Sequence, residues 1–229
     1  MKLYIVATPL GNLKDITLRA LEVLRSAPLI ACEDTRVSGK LLAAYNIKTP
    51  TVSYHQHSSS GKVDFLLNKL AEAGEMAIIT DAGTPGISDP GNLLVEAAVK
   101  KFGLKCEIIP IPGPSAIIAL LSISGLPTDR FLFLGFLPHK KGKETMLKRI
   151  IDSEETVVFY ESTHRIIKSL EKLGELMSLG ANNDRRIVVG RELTKKFETV
   201  HRGNIKQILE QLKSDTAKGE FVVVVEGKK

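Results

Sequence analysis

No apolar run in this 229-residue sequence approaches the roughly 18 residues that a membrane-spanning helix requires. The opening stretch, MKLYIVATPLGN, lacks the long apolar core of a secretory signal. A soluble, cytoplasmic protein is therefore expected. Cysteine is scarce. Cys32 and Cys106 match no closely spaced Cys/His zinc pattern and give no disulfide framework; reduced thiols in or near strands are expected. The common nucleotide fingerprints are missing too. Neither G-x-G-x-x-G nor G-x-x-x-x-G-K-[ST] occurs, which argues against an ordinary dinucleotide site and against a P-loop ATPase. A G-x-S-x-G nucleophile elbow is also lacking, and no internal repeat or low-complexity segment is visible.

Hydrophobic residues make up 43% of the chain and charged residues 25%, a globular balance with ample material for a core. The net charge is +6 and the pI about 9.2. That mild basicity is compatible with a nucleic-acid partner without requiring one. Short apolar runs alternate with helical patterns. Residues 3–7, 29–32, 77–79 and 108–109 read as strand material, and 17–25 as a helix. Val63, Leu66, Leu67 and Leu70 share one helix face, and Leu93, Leu94, Ala97 and Ala98 suggest another helix. Strands alternating with helices favour a parallel sheet covered on both faces.

The segment IPIPGPSA then places Pro110, Pro112 and Pro114 around Gly113. Alternating prolines do not continue a helix or a central strand, so a domain boundary is expected here. Beyond it, 117–121 looks helical, and 131–134, 157–160 and 187–189 look like strands. Residues 222–225 are four valines, typical of a strand buried on both faces. Residues 199–202 read as an extra strand before a helix at 205–212. The expectation is two α/β domains of similar size, 1–113 and 114–229. Charge divides unevenly between them. The first carries 12 Lys and Arg against 11 Asp and Glu, the second 20 against 15. Much of the excess lies in PHKKGKETMLKR, where Lys140, Lys141, Lys143, Lys148 and Arg149 face only Glu144. Such a run is either a solvated helix start or a phosphate-contacting patch.

Three glycine- and proline-rich segments follow expected strands: ATPLGN at 7–12, TDAGTPGISDPGN at 80–92 and PIPGPSA at 110–116. In open parallel sheets, ligands bind beyond the carboxyl ends of strands, so these loops could line one crevice. The second is both stiff and glycine-rich. Gly83, Gly86 and Gly91 allow backbone approach or positive φ, while Asp81, Asp89 and Ser88 supply polar groups. It suits a small polar ligand, or equally an elaborate turn in which Asp89 or Ser88 caps the next helix.

ATPLGNLKDITLRAL, ACEDTR at 31–36, DAGTPGISDPG at 81–91, PGPSA at 112–116, YESTHRI at 160–166 and GRELTKKFE at 190–198 together resemble the ribosomal small-subunit methyltransferase I family. That family is similar in fold to tetrapyrrole methylases and diphthine synthase. The resemblance runs along essentially the whole chain. It implies a two-domain class III methyltransferase, usually a homodimer, with S-adenosylmethionine in the cleft between its α/β domains. The implied substrate is a cytidine 2′-hydroxyl in the decoding region of 16S ribosomal RNA within the small subunit. The first loop lacks the G-x-G-P-G sequence of tetrapyrrole methylases, which lowers the case for a porphyrinoid substrate. Methylation of a small molecule such as a tetrapyrrole precursor stays open as an alternative on this fold. So does a non-catalytic RNA-binding assembly factor.

By the same resemblance the methyl donor touches Leu10 in the first loop, Asp81, Gly83, Ile87 and Ser88 in the second, and Ser115 and Ala116 after the prolines. Phe136, Leu137 and Leu193 would pack on adenine or serve as core. A 2′-hydroxyl needs a base within hydrogen-bond reach. Glu33 or Asp34 is the candidate, with Arg36 on a phosphate, unless these three form an ion pair among themselves. His55 and His57 offer an RNA contact, a base or an exposed loop; no further metal ligands are obvious nearby, and no metal is expected. Arg165, Arg191 and Lys195, with Lys140, Lys141 and Lys143, would make an RNA-facing rim. At Tyr160, Glu161, His164 and Arg165 the alternative is a helix capped by Ser162 or Thr163.

Overall fold

A computed structural model describes residues 1–55, 60–89, 91–179, 184–214 and 218–228. The chain divides into two compact units, Met1–Ser115 and Ala116–Lys229. The break falls just beyond Pro114, whose carbonyl accepts a hydrogen bond from Thr84 Oγ1 at 3.1 Å and so stays with the first unit.

The first unit holds strands β1 (Lys2–Val6), β2 (Ile30–Cys32), β3 (Thr51–Ser53), β4 (Glu75–Ile79) and β5 (Glu107–Ile111), and helices α1 (Leu18–Ser26), α2 (Thr35–Ala44), α3 (Ser60–Ala73) and α4 (Gly91–Phe102). All strand pairings are parallel, in the order β3-β2-β4-β1-β5. Side chains alternate between the faces of a strand. Leu3, Met76 and Ile78 thus pack with Leu66, Leu70, Leu94 and Ala98 of α3 and α4. Val6, Ala77 and Ile79 pack on the other face with Ala20, Leu21 and Leu24 of α1. Leu24 and Leu66 are fully buried, each worth on the order of 1.5–3 kcal/mol. Thr17 starts α1 by accepting from the Ala20 N–H at 3.1 Å. Of the residues that suggested α4, Leu93 is exposed, and Leu94 and Ala98 carry the packing. The strand preceding the prolines also runs further than its sequence suggests. Pro110 sits inside β5, paired with Ile5. It is tolerated because β5 is an edge strand, with one side free of ladder bonds.

The second unit contains α5 (Ala116–Ser124), β6 (Phe131–Phe136), α6 (Lys143–Asp152), β7 (Thr156–Ser162), α7 (Ile166–Ser178), β8 (Ile187–Arg191), β9 (Thr199–Gly203), α8 (Ile205–Ser214) and β10 (Glu220–Val225). Its sheet order is β6-β7-β10-β8-β9. Here the parallel expectation fails. Only β6 and β7 run parallel; β10 is antiparallel to both β7 and β8, and β8 to β9. The link from β8 to β9 contains no helix, so it makes an antiparallel turn rather than a crossover. The valines of β10 are buried on both faces. Phe221, Val223 and Val225 meet α6, α7 and α8. Val222 and Val224 meet Ile117, Leu120 and Leu121 of α5. One face is thus covered by three helices and the other by a single short one.

One irregularity interrupts β6. Phe133 pairs with Val158 but Phe136 with Tyr160, so the register shifts by one residue between them. Gly135 lies in that interval with φ +62°, a backbone that glycine adopts without strain. Among the described residues, no helix is long and apolar enough to cross a membrane.

Candidate functional site

The three glycine- and proline-rich loops meet at the carboxyl edge of the first sheet. Thr8 and Gly83 exchange backbone hydrogen bonds of 2.8 and 3.0 Å, tying the first loop to the second. Buried Thr8 also donates its hydroxyl to the Thr80 carbonyl at 3.0 Å. Thr84 Oγ1 reaches the Pro114 carbonyl and ties the second loop to the third. Gly83 sits among all three with φ +83°; a Cβ there would lie 3.4 Å from Leu10 Cδ2 and 3.7 Å from the Pro114 oxygen. Leu10, Asp81 and Gly83 are thereby close in space. Ile87 and Ser88 form an exposed loop tip, with Ser88 at φ +63°. Beneath that tip, Asp89 Oδ1 accepts from the N–H groups of Gly86 and Gly91 at 2.8 and 2.7 Å and fixes the turn. Ser115 and Ala116 are joined across the boundary between the units, Ala116 opening α5. Sequence reasoning passed over Thr8, Thr80 and Thr84, which stitch these loops. Their only signal was one threonine in the first motif and two in the second.

A carboxylate group flanks the loops. Thr80 Oγ1 donates to Glu33 Oε2 at 2.7 Å, so the chain Thr8–Thr80–Glu33 links the first loop to the end of β2. Asp81 Oδ1 accepts from the Asp34 N–H at 3.0 Å. Asp34 caps α2 through the Arg36 N–H at 2.8 Å and holds the Arg36 guanidinium at 2.6–3.2 Å. The Arg36 side chain and N–H keep the Asp34 carboxyl down at about 2. Burial, reinforced by the charges of Glu33 and Asp34, pushes Asp81 up against the pull of the Asp34 N–H. These two neighbouring carboxylates therefore differ. Asp34 is committed to a cation and a helix start, which makes it a poor proton acceptor and corrects its candidacy as a base. Arg36 is likewise engaged with Asp34 rather than held open for a phosphate, although its side chain remains exposed.

In the second unit the expected rim falls into two groups. Lys140 and Lys141 are exposed. Lys143 instead donates to Ser169 Oγ at 2.9 Å. Ser169 donates to Glu161 Oε2 at 2.7 Å, and fully buried Glu161 binds Arg165 Nη2 at 2.6 Å. Arg165 also donates to the Leu137 carbonyl at 2.9 Å and to Ser162 Oγ at 3.3 Å. Arg165 and Lys143 thus belong to an internal polar network, not to a phosphate-facing rim, because a buried carboxylate must be compensated. Arg191 is buried and donates to the Lys218 carbonyl at 2.7 Å, which corrects its placement too. Lys195 pairs with Glu192 and Glu220. Neither Ser162 nor Thr163 caps α7. Arg165 stands at the cap position without a side-chain bond to the first turn, and Thr163 Oγ1 donates to the Gly219 carbonyl at 2.5 Å.

Leu137 and Leu193 are buried, Leu193 beside Leu120 and Gly190 beneath α5; both act as core. Phe136 is 55% exposed, its ring 5.3 Å from that of Tyr160. His55 is exposed, and His57 lies outside the described residues. Cys32, in β2, and Cys106, just before β5, are free and buried, and burial raises both thiols. Among the described residues, no group of three or more His, Cys, Asp or Glu is placed to hold a metal ion.

The family model described as Tetrapyrrole (Corrin/Porphyrin) Methylases matches residues 2–209. A ribosomal RNA small subunit methyltransferase I from Escherichia coli O157:H7 is 46% identical, with 100% of this chain and 78% of that protein covered. Its namesake from Synechocystis is 45% identical over 98% of this chain and 78% of that protein. Among solved structures, a cobalt precorrin-4 methyltransferase of cobalamin biosynthesis superposes with a TM-score of 0.70 at 18% identity, covering 98% of this chain and 94% of the other. A uroporphyrin-III-C-methyltransferase from Thermus thermophilus gives 0.64 at 20% identity, with 97% and 93% covered. At those identities the two structures speak for the fold alone.

Proposed function

The chain belongs to the ribosomal RNA small subunit methyltransferase I family, on the tetrapyrrole methylase fold, and from that membership we propose that it uses S-adenosylmethionine to methylate a cytidine 2′-hydroxyl in the decoding region of 16S ribosomal RNA. The observation that carries this reading is the 43–46% identity, spread over nearly the whole chain, to relatives that bear that name.

The residues present fit such a donor. It combines an amino-acid end, a sulfonium and an adenosine. When bound, it supplies an electrophilic methyl group. Three linked loops offer backbone groups around Gly83, whose φ of +83° favours glycine. Asp81, Glu33 and Asp34 concentrate negative charge beside them, which favours a cation. Asp81 would hold the donor's amine or a ribose hydroxyl, and Ile87, Ser88 and Ser115 would line the same loops. Glu33, fixed by Thr80, is the residue suited to orient the acceptor hydroxyl and take its proton. Because the donor and acceptor must align in line, positioning supplies much of the rate.

Incubating the protein with methyl-labelled S-adenosylmethionine and 30S subunits is expected to leave label in one cytidine, at a 2′-oxygen that protects its phosphodiester from alkali. Label on a base, or only in a tetrapyrrole extract, would overturn the proposal. Lys140 and Lys141 are expected to meet phosphate. Changing both to Glu should weaken RNA binding more at low salt than at high, flattening the salt slope by about 1–2. An equal loss at every salt concentration would count against that contact.

A further inference from the structure

The second sheet carries a cluster of three aromatic rings, of which Phe133 and Tyr160 pack against the core under α5 while Phe136 is left exposed. In β6, Leu132 and Leu134 point to the face packed by α6, α7 and α8, while Phe133 points to the α5 face. Strict alternation would send Phe136 after Leu134 into the three-helix core. The extra residue at Gly135 reverses this and brings Phe136 opposite Tyr160. The three rings are contiguous. Phe133 meets Tyr160 edge-on, with centroids 5.2 Å apart and planes at 76°; Phe136 leans on Tyr160 at 5.3 Å and 47°. Tyr160 and Phe136 both stand towards the carboxyl ends of their strands, β7 and β6. A phenylalanine more than half exposed forgoes burial, and here a backbone device turns it outward.

The chain continues from Phe136 into the basic loop. The Leu137 carbonyl is pinned by Arg165, and exposed Lys140 and Lys141 follow within about 14 Å of chain. An exposed aromatic ring near exposed lysines is the composition that holds single-stranded nucleic acid, with rings stacking bases and cations meeting phosphates. We propose that Phe136, backed by Tyr160 and Phe133, is the platform on which a base of the substrate RNA stacks, the target cytosine or its neighbour. This rests on the RNA reading above and assigns Phe136 to the acceptor rather than to the donor's adenine.

The test compares Phe136→Leu, which keeps apolar bulk but loses the ring face, with Phe136→Trp. A short single-stranded RNA carrying 2-aminopurine reports stacking by its fluorescence quenching. The leucine variant should bind this RNA about tenfold more weakly, with less quenching, and show a raised KM for 30S subunits. The tryptophan variant should restore both, and calorimetric affinity for S-adenosylmethionine should change less than about twofold in either. Unchanged RNA affinity and KM in the leucine variant would overturn the platform while leaving the methyltransferase reading intact. A loss of S-adenosylmethionine affinity instead would return the ring to adenine and equally overturn it. Failure of the unaltered protein to bind or methylate RNA would overturn both readings together.

Discussion

Glu161→Ala lowers the unfolding free energy of the protein by about 3–5 kcal/mol. The Glu161 side chain has no exposed surface. One oxygen accepts from Arg165 Nη2 at 2.6 Å and the Ser162 N–H at 2.8 Å, the other from Ser169 Oγ at 2.7 Å. Deleting it strands a guanidinium that is only 15% exposed, and an unpaired buried charge is among the costliest single defects. The damage also spreads. Arg165 anchors the Leu137 carbonyl and Ser169 anchors Lys143, so both ends of the basic loop loosen. Tryptophan is absent, so urea unfolding is best followed by circular dichroism. Glu161→Gln, which keeps an acceptor, should fall between the two, and replacing Glu161 and Arg165 together by leucine should recover much of the loss. A cost below about 1 kcal/mol for the alanine variant would refute the role of the network.

Asp81→Asn separates binding from stability. The amide keeps an oxygen for the Asp34 N–H but gives up the charge. Affinity for S-adenosylmethionine is expected to fall about 10- to 100-fold, the usual effect of losing a charged hydrogen bond. The apo protein should melt no lower at neutral pH, and slightly higher. Burial and the neighbouring carboxylates raise Asp81 in the folded chain. Its ionised form therefore opposes folding above that raised value, and the penalty is relieved as the pH falls through it. In the unaltered protein, donor affinity should decline on acidification as Asp81 takes up its proton, earlier than an ordinary aspartate would. Asp34, held at about 2, works the other way. It favours folding above its ordinary value and loses that contribution only as the pH drops towards 2. Equal donor affinity of the asparagine variant and the parent would remove Asp81 from the binding role.

Local pattern made the first unit's strands and helices largely legible. Leu3, Met76 and Ile78 alternate with Val6, Ala77 and Ile79, and Leu66 and Leu70 repeat at helical spacing. Weak or masked signals hid the rest. β3 has only Thr51, Val52 and Ser53, too short and polar to announce itself. In α7, Ile166, Leu170, Leu173 and Met177 form a full stripe directly behind a polar stretch that reads as surface. Strand direction in the second unit depended on partners far apart in sequence. The fate of the basic residues did too. Arg165 and Arg191 read as cations available for phosphate because nothing local reveals that Glu161 is buried or that the Lys218 carbonyl waits across the sheet. In the loops, glycine and proline marked the turns, but the threonine bonds that join them are long-range contacts, Thr8 to the Thr80 carbonyl and Thr84 to the Pro114 carbonyl.

The place of β10 bears on how the chain is made. Every strand of the first sheet lies within residues 2–111, so that sheet can close while later codons are still being read. The second sheet must wait for residues 220–225, which slot between β7 and β8. Until they leave the exit tunnel, two valine-rich strands each show an unsatisfied ladder, the template on which nascent chains clump. Emergence of residues 220–225 is thus the step at which both ladders, on β7 and on β8, find their partner.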